Sequence, residues 1–197
     1  EKVTDLDHSL EGLVGWGLVM PIHLDGRLEL MAIHRLVRNF CREQHQEEIW
    51  HGWLKDAASF YLVQTKLFRR GRGTSDVMWD EMEAFELLLE AEEFEDAARI
   101  LTDVHPLLVR RGSGRHAESC YRRLLPKVAG STAAVVAHNY GTLLQERGEL
   151  KLALGHFEKS LKIVEETSYD VGIATSLRQI GTVHQDLGEY DAALNHY

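Results

Sequence analysis

The segment AVVAHNYGTLLQERGELKLALGHF, residues 134–157, is echoed forty positions later by ATSLRQIGTVHQDLGEYDAALNHY, residues 174–197. Four pairs of small or aromatic residues carry the echo: Gly141 and Gly181, Gly148 and Gly188, Ala153 and Ala193, and Phe157 and Tyr197. Each segment is apolar at helical spacing and is broken by a short polar turn that contains a glycine. The pattern predicts two successive helical hairpins.

The small residues of the echo have a packing role. Gly141 and Gly181 predict that the first helix of each hairpin approaches its neighbour closely, and Ala153 and Ala193 predict the same for the second helix. Gly148 suits the left-handed conformation in which many helices end, because it has no β-carbon to clash.

These hairpins resemble the tetratricopeptide repeat in its longer variant, to which a period of 40 belongs. With Ala134 as the first position, glycine stands at position 8, alanine at 20 and an aromatic residue at 24, and Ala174 starts the next unit in the same frame. Ser160 departs from the usual alanine, and the late proline is absent. The resemblance implies regular repeats over residues 131–197, stacked as an α-α superhelix in a mainly α protein.

A weaker trace precedes the regular repeats. The stretch FELLLEAEEFEDAARIL, residues 85–101, places Ala97 and Leu101 where the alanine and the aromatic residue of a repeat would fall. We interpret it as a degenerate unit.

A second trace, RRGSGRHAESCYRRLL, has Gly112, Ala117 and Tyr121 at the relative spacing of a repeat. Only 20 residues separate Ala97 from Ala117, so we expect shorter, irregular helices here, with Pro106 starting one of them. Residues 46–130 are therefore interpreted as a helical linker with degenerate repeats that cap the regular array, since arrays need atypical ends.

Residues 1–45 predict the C-terminal half of a winged-helix domain. A helical pattern over residues 6–19 is followed by two short extended runs on either side of Asp25-Gly26, a strong hairpin turn. Helical spacing resumes over residues 33–44. Helix, β-hairpin and helix in that order are typical of the back half of such a domain.

A winged helix that ends in His-Arg-Leu-Val-Arg, residues 34–38, and leads into tetratricopeptide repeats resembles the STAND or NB-ARC signal-transduction ATPases. In that family a histidine of this helix reaches the β-phosphate of ADP and holds the inactive form. The resemblance implies that His34 senses nucleotide, although Arg35 stands where the family has an acid. It also implies a parent protein in which a P-loop domain that binds ADP or ATP precedes Glu1 and is the partner of the winged helix.

The sequence itself contains no G-x-x-x-x-G-K-[ST] loop, so we expect no ATP hydrolysis, no resident cofactor and no enzyme activity in this chain. The function implied is a sensor that binds a protein or peptide signal and relays it to the nucleotide-binding domain. Two alternatives stay open: a plain tetratricopeptide scaffold, and a winged-helix regulator that binds DNA.

Charge disfavours the DNA-binding alternative. The 197 residues include 22 basic and 31 acidic side chains, a net charge of −9. The helix over residues 6–19, which would enter the major groove of DNA, lies in a stretch with no Lys or Arg between Lys2 and Arg27. The acidic run 76–96 adjoins the basic segment 110–127, and we expect the two to face each other.

Other classes of site lack their motifs. The eleven histidines form no H-E-x-x-H pattern, and the only cysteines are Cys41 and Cys120, so we expect no metal site and no disulfide scaffold. So few cysteines indicate a reducing compartment, the cytoplasm. No apolar run approaches the ~18 residues of a membrane-spanning helix.

The first helix of each hairpin is expected to line a groove for a protein or peptide ligand. In the longer-period relatives an asparagine at the place of Asn139 hydrogen-bonds the peptide backbone, which suits its two donors and its acceptor. The predicted lining residues are His138, Asn139, Thr142, Gln145, Glu146, Thr175, Arg178, Gln179, Thr182 and Gln185.

Overall fold

A computed structural model of the chain describes residues 19–24, 27–33, 39, 42–68 and 74–196, which are mainly helical. The chain divides into two compact units, Glu1–Trp53 and Leu54–Tyr197. The turn predicted at Asp25-Gly26 and the nucleotide-sensing role predicted for His34 lie outside the described residues.

The first unit contains two antiparallel strands, β1 (Val19–Leu24) and β2 (Arg27–Ile33). Val19 lies opposite Ile33 and Leu24 opposite Arg27, with one irregularity in the register after Ile22. The strands coincide closely with the two predicted extended runs. They do not show a winged-helix domain, because the helix predicted before them and most of the one predicted after them lie outside the residues described.

Helix α1 runs from Glu47 to Phe68 and is followed by a series of shorter helices. Their bounds are α2 Thr74–Glu90, α3 Phe94–Arg110, α4 Gly114–Leu124, α5 Gly130–Glu146, α6 Leu150–Glu166, α7 Asp170–Asp186 and α8 Tyr190–Leu194. A 3₁₀ turn, Leu125–Lys127, extends α4. Helix α3 packs on α2, α4 and α5, and the later helices pack in chain order, each on the next. Short connections of this kind make sequential helices antiparallel neighbours, so the second unit is a stack of helical hairpins.

The turns indicate which neighbouring helices pair as hairpins. Within each hairpin the chain reverses at a glycine with positive φ: Gly112 (70°), Gly148 (76°) and Gly188 (79°). After Gly148, the Glu149 N–H donates to the Leu144 carbonyl at 2.9 Å, the hydrogen bond expected of a left-handed helix end. Between hairpins, a residue other than glycine takes this position before α3 (Glu92, φ 60°) and before α7 (Ser168, φ 52°), while Gly130 (φ 53°) is the first residue of α5. The hairpins are therefore α3/α4, α5/α6 and α7/α8.

With this pairing of helices, the prediction that Ala97 occupies the second helix of a repeat is wrong. Ala97 lies in α3, the first helix of the hairpin α3/α4, and α3 contacts α5, the first helix of the next hairpin. The alanine and aromatic positions of this unit are Ala117 and Tyr121 on α4, 36 residues before Ala153 and Phe157. The step is 36 rather than 40 because α4 is six residues shorter than α6, while the connection after α4 (residues 125–129) is two residues longer than the one after α6 (residues 167–169).

The prediction that Pro106 starts a helix is also wrong. Pro106 lies inside α3, which continues to Arg110. Proline within a helix removes one backbone hydrogen bond and costs about 3 kcal/mol. Val104 and Leu108, on either side of Pro106, are fully buried, and each contributes about 1.5–3 kcal/mol through burial. Packing therefore outweighs the local preference.

Gly141 is required where α5 meets α6. A β-carbon at this position would lie 2.8 Å from Cε1 of Phe157, whose ring is fully buried. The close approach predicted for this glycine is thus confirmed. Ser160, the departure from the usual alanine, is buried and donates to the Ala134 carbonyl at 3.0 Å, so its hydroxyl is satisfied.

Tyr121 joins the first hairpin to the second. Its hydroxyl is hydrogen-bonded to His105 Nδ1 at 2.9 Å, and its ring stacks on Tyr140 of α5 with 5.5 Å between centroids. The Tyr140 hydroxyl in turn accepts a hydrogen bond from Arg122 Nε at 3.0 Å. Helices α3, α4 and α5 are therefore linked by one aromatic contact chain.

An ion pair joins the acidic run to the basic segment. The Arg123 guanidinium on α4 donates to both carboxylate oxygens of Glu86 on α2, at 2.7 Å each. The expectation from the sequence is confirmed for this pair.

Candidate functional site

The first helices of the three hairpins, α3, α5 and α7, form one groove within the unit Leu54–Tyr197. A cavity of about 200 Å³ lies between α5 and α7, and a cavity of about 340 Å³ lies between α3 and α5. Ser131 and Val135 line both cavities, so the two are continuous across α5. We call them the α5–α7 cavity and the α3–α5 cavity.

Small side chains form much of the α5–α7 cavity's wall. Ala134, Ser160 and Ser176 are buried there, and the Ser176 hydroxyl donates to Ser160 Oγ at 3.4 Å. Gly172 is needed because a β-carbon there would lie 2.5 Å from the Tyr169 ring and 2.9 Å from a methyl group of Val164. These buried wall residues are uncharged, and the hydroxyl groups of both serines are already hydrogen-bonded.

The rim of this cavity is apolar and exposed. Val135 on α5 is 48% exposed, Val171 on α7 is 65% exposed, and Tyr169, just before α7, is 55% exposed. Exposed apolar side chains that cluster around a concavity mark binding sites more often than isolated ones do.

The α3–α5 cavity is acidic. Glu95, Arg99 and Asp103 of α3 line it, together with Thr102. Arg99 is paired with Asp96 at 2.8 Å, whereas Glu95 and Asp103 form no ion pair within the described part of the chain. The unpaired carboxylates give this half of the groove a negative potential.

Two of the ten predicted lining residues, His138 and Thr175, line the α5–α7 cavity. The half-buried His138 ring lies 5.3 Å from the Phe157 ring, between the cavity and the core of the hairpin. The Thr175 hydroxyl donates to the carbonyl of Val171 at 2.7 Å, so its methyl group and its remaining lone pair are what a ligand can meet.

Two other predicted residues brace neighbouring helices. The Asn139 side-chain N–H donates to Thr102 Oγ1 of α3 at 3.3 Å, and Gln145 Nε2 donates to Asp186 Oδ2 of α7 at 2.8 Å. The amide of Asn139 is therefore used between first helices, where the resemblance implied a contact with peptide backbone.

The remaining six do not line the two cavities. Thr142 and Thr182 each donate to a carbonyl one turn earlier in their own helix, His138 and Arg178 respectively. Glu146, Arg178 and Gln185 are exposed, and Gln179 is half-buried.

Burial sets the protonation of His138, which lines the groove, and of the buried His105. Burial, followed by the positive charge of Arg178, lowers the pKa of His138 below its ordinary value of 6.5. Burial, followed by His138, also lowers the pKa of His105. Both imidazoles are thus neutral at pH 7, and the centre of the groove carries no histidine charge.

The sequence did not identify five groove residues: Val135, Tyr169, Val171, Glu95 and Asp103. The two valines were recognisable only as apolar residues, which cannot be distinguished from core positions. Whether α3 faces the groove depends on its being the first helix of a hairpin, and contacts between helices decide this.

Other kinds of site find no support in the described ranges. They contain no cluster of three potential metal ligands, and none of their helices is long and apolar enough to cross a membrane. Cys120 is buried, and burial raises the pKa of its thiol to about 12, which keeps it unreactive.

Comparison with known proteins agrees with the repeat architecture. Residues 132–197 match the family model of the tetratricopeptide repeat, and no curated protein matches. Among solved structures, the chain is similar to the apo form of RapI, with a TM-score of 0.56 at 18% identity over 82% of this chain and 44% of that one. It is also similar to aspartyl phosphate phosphatase F from Bacillus subtilis, with a TM-score of 0.57 at 11% identity over 96% of this chain and 48% of that one.

At these identities the likeness shows the fold alone. The chain spans less than half the length of either neighbour. The family match covers helices α5 to α8, which the structure arranges as two hairpins. Together these findings show tetratricopeptide repeats over residues 132–197 of a mainly helical chain, and they do not extend to a nucleotide-switched ATPase.

Proposed function

We propose that the groove formed by α3, α5 and α7 binds an extended segment of a peptide or of another protein. The observation that carries the proposal is the continuity of the α3–α5 and α5–α7 cavities through the exposed Val135, with the exposed Tyr169 and Val171 on the rim of the α5–α7 cavity. Stacked helical hairpins present such surfaces to extended ligands, and the tetratricopeptide match over residues 132–197 supports the same role.

Blocking the groove at Val135 tests the proposal. Peptides selected from a random heptapeptide phage library on the whole 197-residue chain are expected to bind Val135→Trp at least about tenfold more weakly, because the indole fills the junction of the two cavities. Fluorescence anisotropy with labelled peptides measures the affinity.

Leu152→Trp is the matched control. Leu152 is 56% exposed on α6, and it lines neither cavity, so this variant is expected to bind within about twofold of the original chain. Equal weakening in both variants, or in neither, would contradict a ligand seated in the groove.

The finer role, a sensor in a nucleotide-switched ATPase with His34 contacting ADP, rests on the resemblance of the His-Arg-Leu-Val-Arg segment. His34 lies outside the described residues, and a plain tetratricopeptide scaffold accounts for the groove equally well. We therefore propose recognition as the function of this chain, in the cytoplasm and without catalysis or a resident cofactor. The phosphatase activity in the name of one structural neighbour belongs to that protein, since 11% identity supports the fold alone.

A further inference from the structure

We infer that the ligand of this groove is an extended peptide with a basic side chain over α3 and, about four residues away, a small apolar side chain in the α5–α7 cavity. The inference rests on the proposed function and adds the chemistry of the ligand. It is carried by the different character of the two cavities.

The α3 end of the groove selects a cation. Glu95 and Asp103 line the α3–α5 cavity and form no ion pair among the residues described, while the nearby Arg99 is neutralised by Asp96 at 2.8 Å. A lysine or arginine side chain on the ligand would supply the missing partner, whereas an acidic side chain there would meet like charge.

The α5–α7 cavity selects an apolar side chain. Its volume of about 200 Å³ lies below the ~300 Å³ at which pockets for whole small molecules begin, so it fits one side chain rather than a separate compound. Its buried wall residues Ala134, Ser160 and Ser176 are uncharged, and their polar groups are hydrogen-bonded to one another. A charged ligand group would be buried there without a partner, at a large cost in desolvation.

Arg178 makes the α7 end of the groove unfavourable for a basic ligand residue. It is an exposed cation on α7, close enough to His138 at the cavity to lower the pKa of that imidazole. A basic ligand residue is therefore repelled at the α7 end and attracted at the α3 end.

The spacing between the basic and the apolar side chain of the ligand follows from helix packing. Neighbouring helix axes lie about 8–10 Å apart, so the path from α3 to the gap between α5 and α7, about one and a half helix spacings, is about 13 Å. An extended chain advances about 3.3 Å per residue, which makes this distance about four residues.

A positional-scanning library of heptapeptides, acetylated and amidated so that their ends carry no charge, tests the inference on the whole chain by fluorescence anisotropy. The original protein is expected to prefer Lys or Arg at one position and Val, Leu, Met or Ala about four positions away. In the double variant Glu95→Gln/Asp103→Asn, the preference for the basic residue is expected to fall about tenfold. Each lost carboxylate contributes about two- to fivefold, and the two contributions multiply.

The control variant Glu158→Gln/Glu165→Gln removes two exposed carboxylates from α6, so its net charge equals that of the test variant. Neither residue lines a cavity of the groove, and this variant is expected to keep the preference. A selective loss in the Glu95/Asp103 variant supports the inference.

The other outcomes separate two kinds of failure. Peptides that bind without a basic preference, or with one that the Glu95/Asp103 variant retains, overturn the inference and leave the proposed function standing. A library in which no peptide binds overturns both.

Discussion

Replacing Phe157 by alanine is expected to lower the free energy of unfolding by about 3–5 kcal/mol. The ring is fully buried where α5 and α6 meet, against Gly141 and with the His138 ring 5.3 Å away. Its removal leaves a cavity that the two helices cannot close without losing their other contacts. Urea denaturation followed by circular dichroism measures the change.

The corresponding change on the surface is the control. Leu152 is also on α6 but is 56% exposed, and Leu152→Ala is expected to alter the free energy of unfolding by no more than about 0.5 kcal/mol. A loss below about 1 kcal/mol for Phe157→Ala would mean that α5 and α6 do not pack as a hairpin around this ring.

Gly141→Val is expected to destabilise the protein by about 1–3 kcal/mol, although valine is a better helix former than glycine. The new β-carbon would lie 2.8, 3.0 and 3.1 Å from three atoms of the Phe157 ring, which is enclosed and cannot move aside. Overpacking therefore exceeds the gain in helix propensity. The same urea titration measures the difference.

Gly155→Val separates packing from propensity. Gly155 lies in α6, and a β-carbon there would have no atom within 4 Å among the described residues, so this variant is expected to be neutral or slightly stabilising. Equal effects of valine at the two glycines would contradict the close contact of α5 with α6.

The hairpins α5/α6 and α7/α8 could be predicted because their small residues recur at a fixed step. Gly141 needs a close approach, Gly148 ends a helix, and Phe157 fills the space that Gly141 leaves. Each of these requirements concerns residues near one another in the sequence, and the repeat with a period of 40 residues makes them recognisable.

The preceding hairpin could not be placed in the same way. Its second helix, α4, is six residues shorter than α6 and the connection after it is two residues longer, so Ala117 and Tyr121 precede their counterparts by 36 residues rather than 40. Pro106 misled the prediction because local propensity favours a helix start, whereas the burial of α3 around it keeps the helix whole. Contacts between helices decided both features.

The groove was predicted in outline and missed in detail. Of the residues predicted to line it, His138 and Thr175 lie at the α5–α7 cavity, and their contact with a ligand stays a prediction. It did not identify Val135 and Val171, because an apolar residue on an amphipathic helix is normally a core position and its exposure depends on the neighbouring hairpin. Asn139 was assigned to a ligand from the resemblance to longer-period repeats, whereas in this chain Thr102 on α3 accepts its hydrogen bond.

The most direct test of the groove is a methyl NMR titration of the whole chain with a peptide selected from the phage library. Binding across α3, α5 and α7 predicts that the methyl signals of Val135 and Val171 shift in proportion to the bound fraction while those of Leu152 on α6 stay in place. Shifts confined to Leu152, with Val135 and Val171 unmoved at saturation, would place the ligand elsewhere and contradict the account.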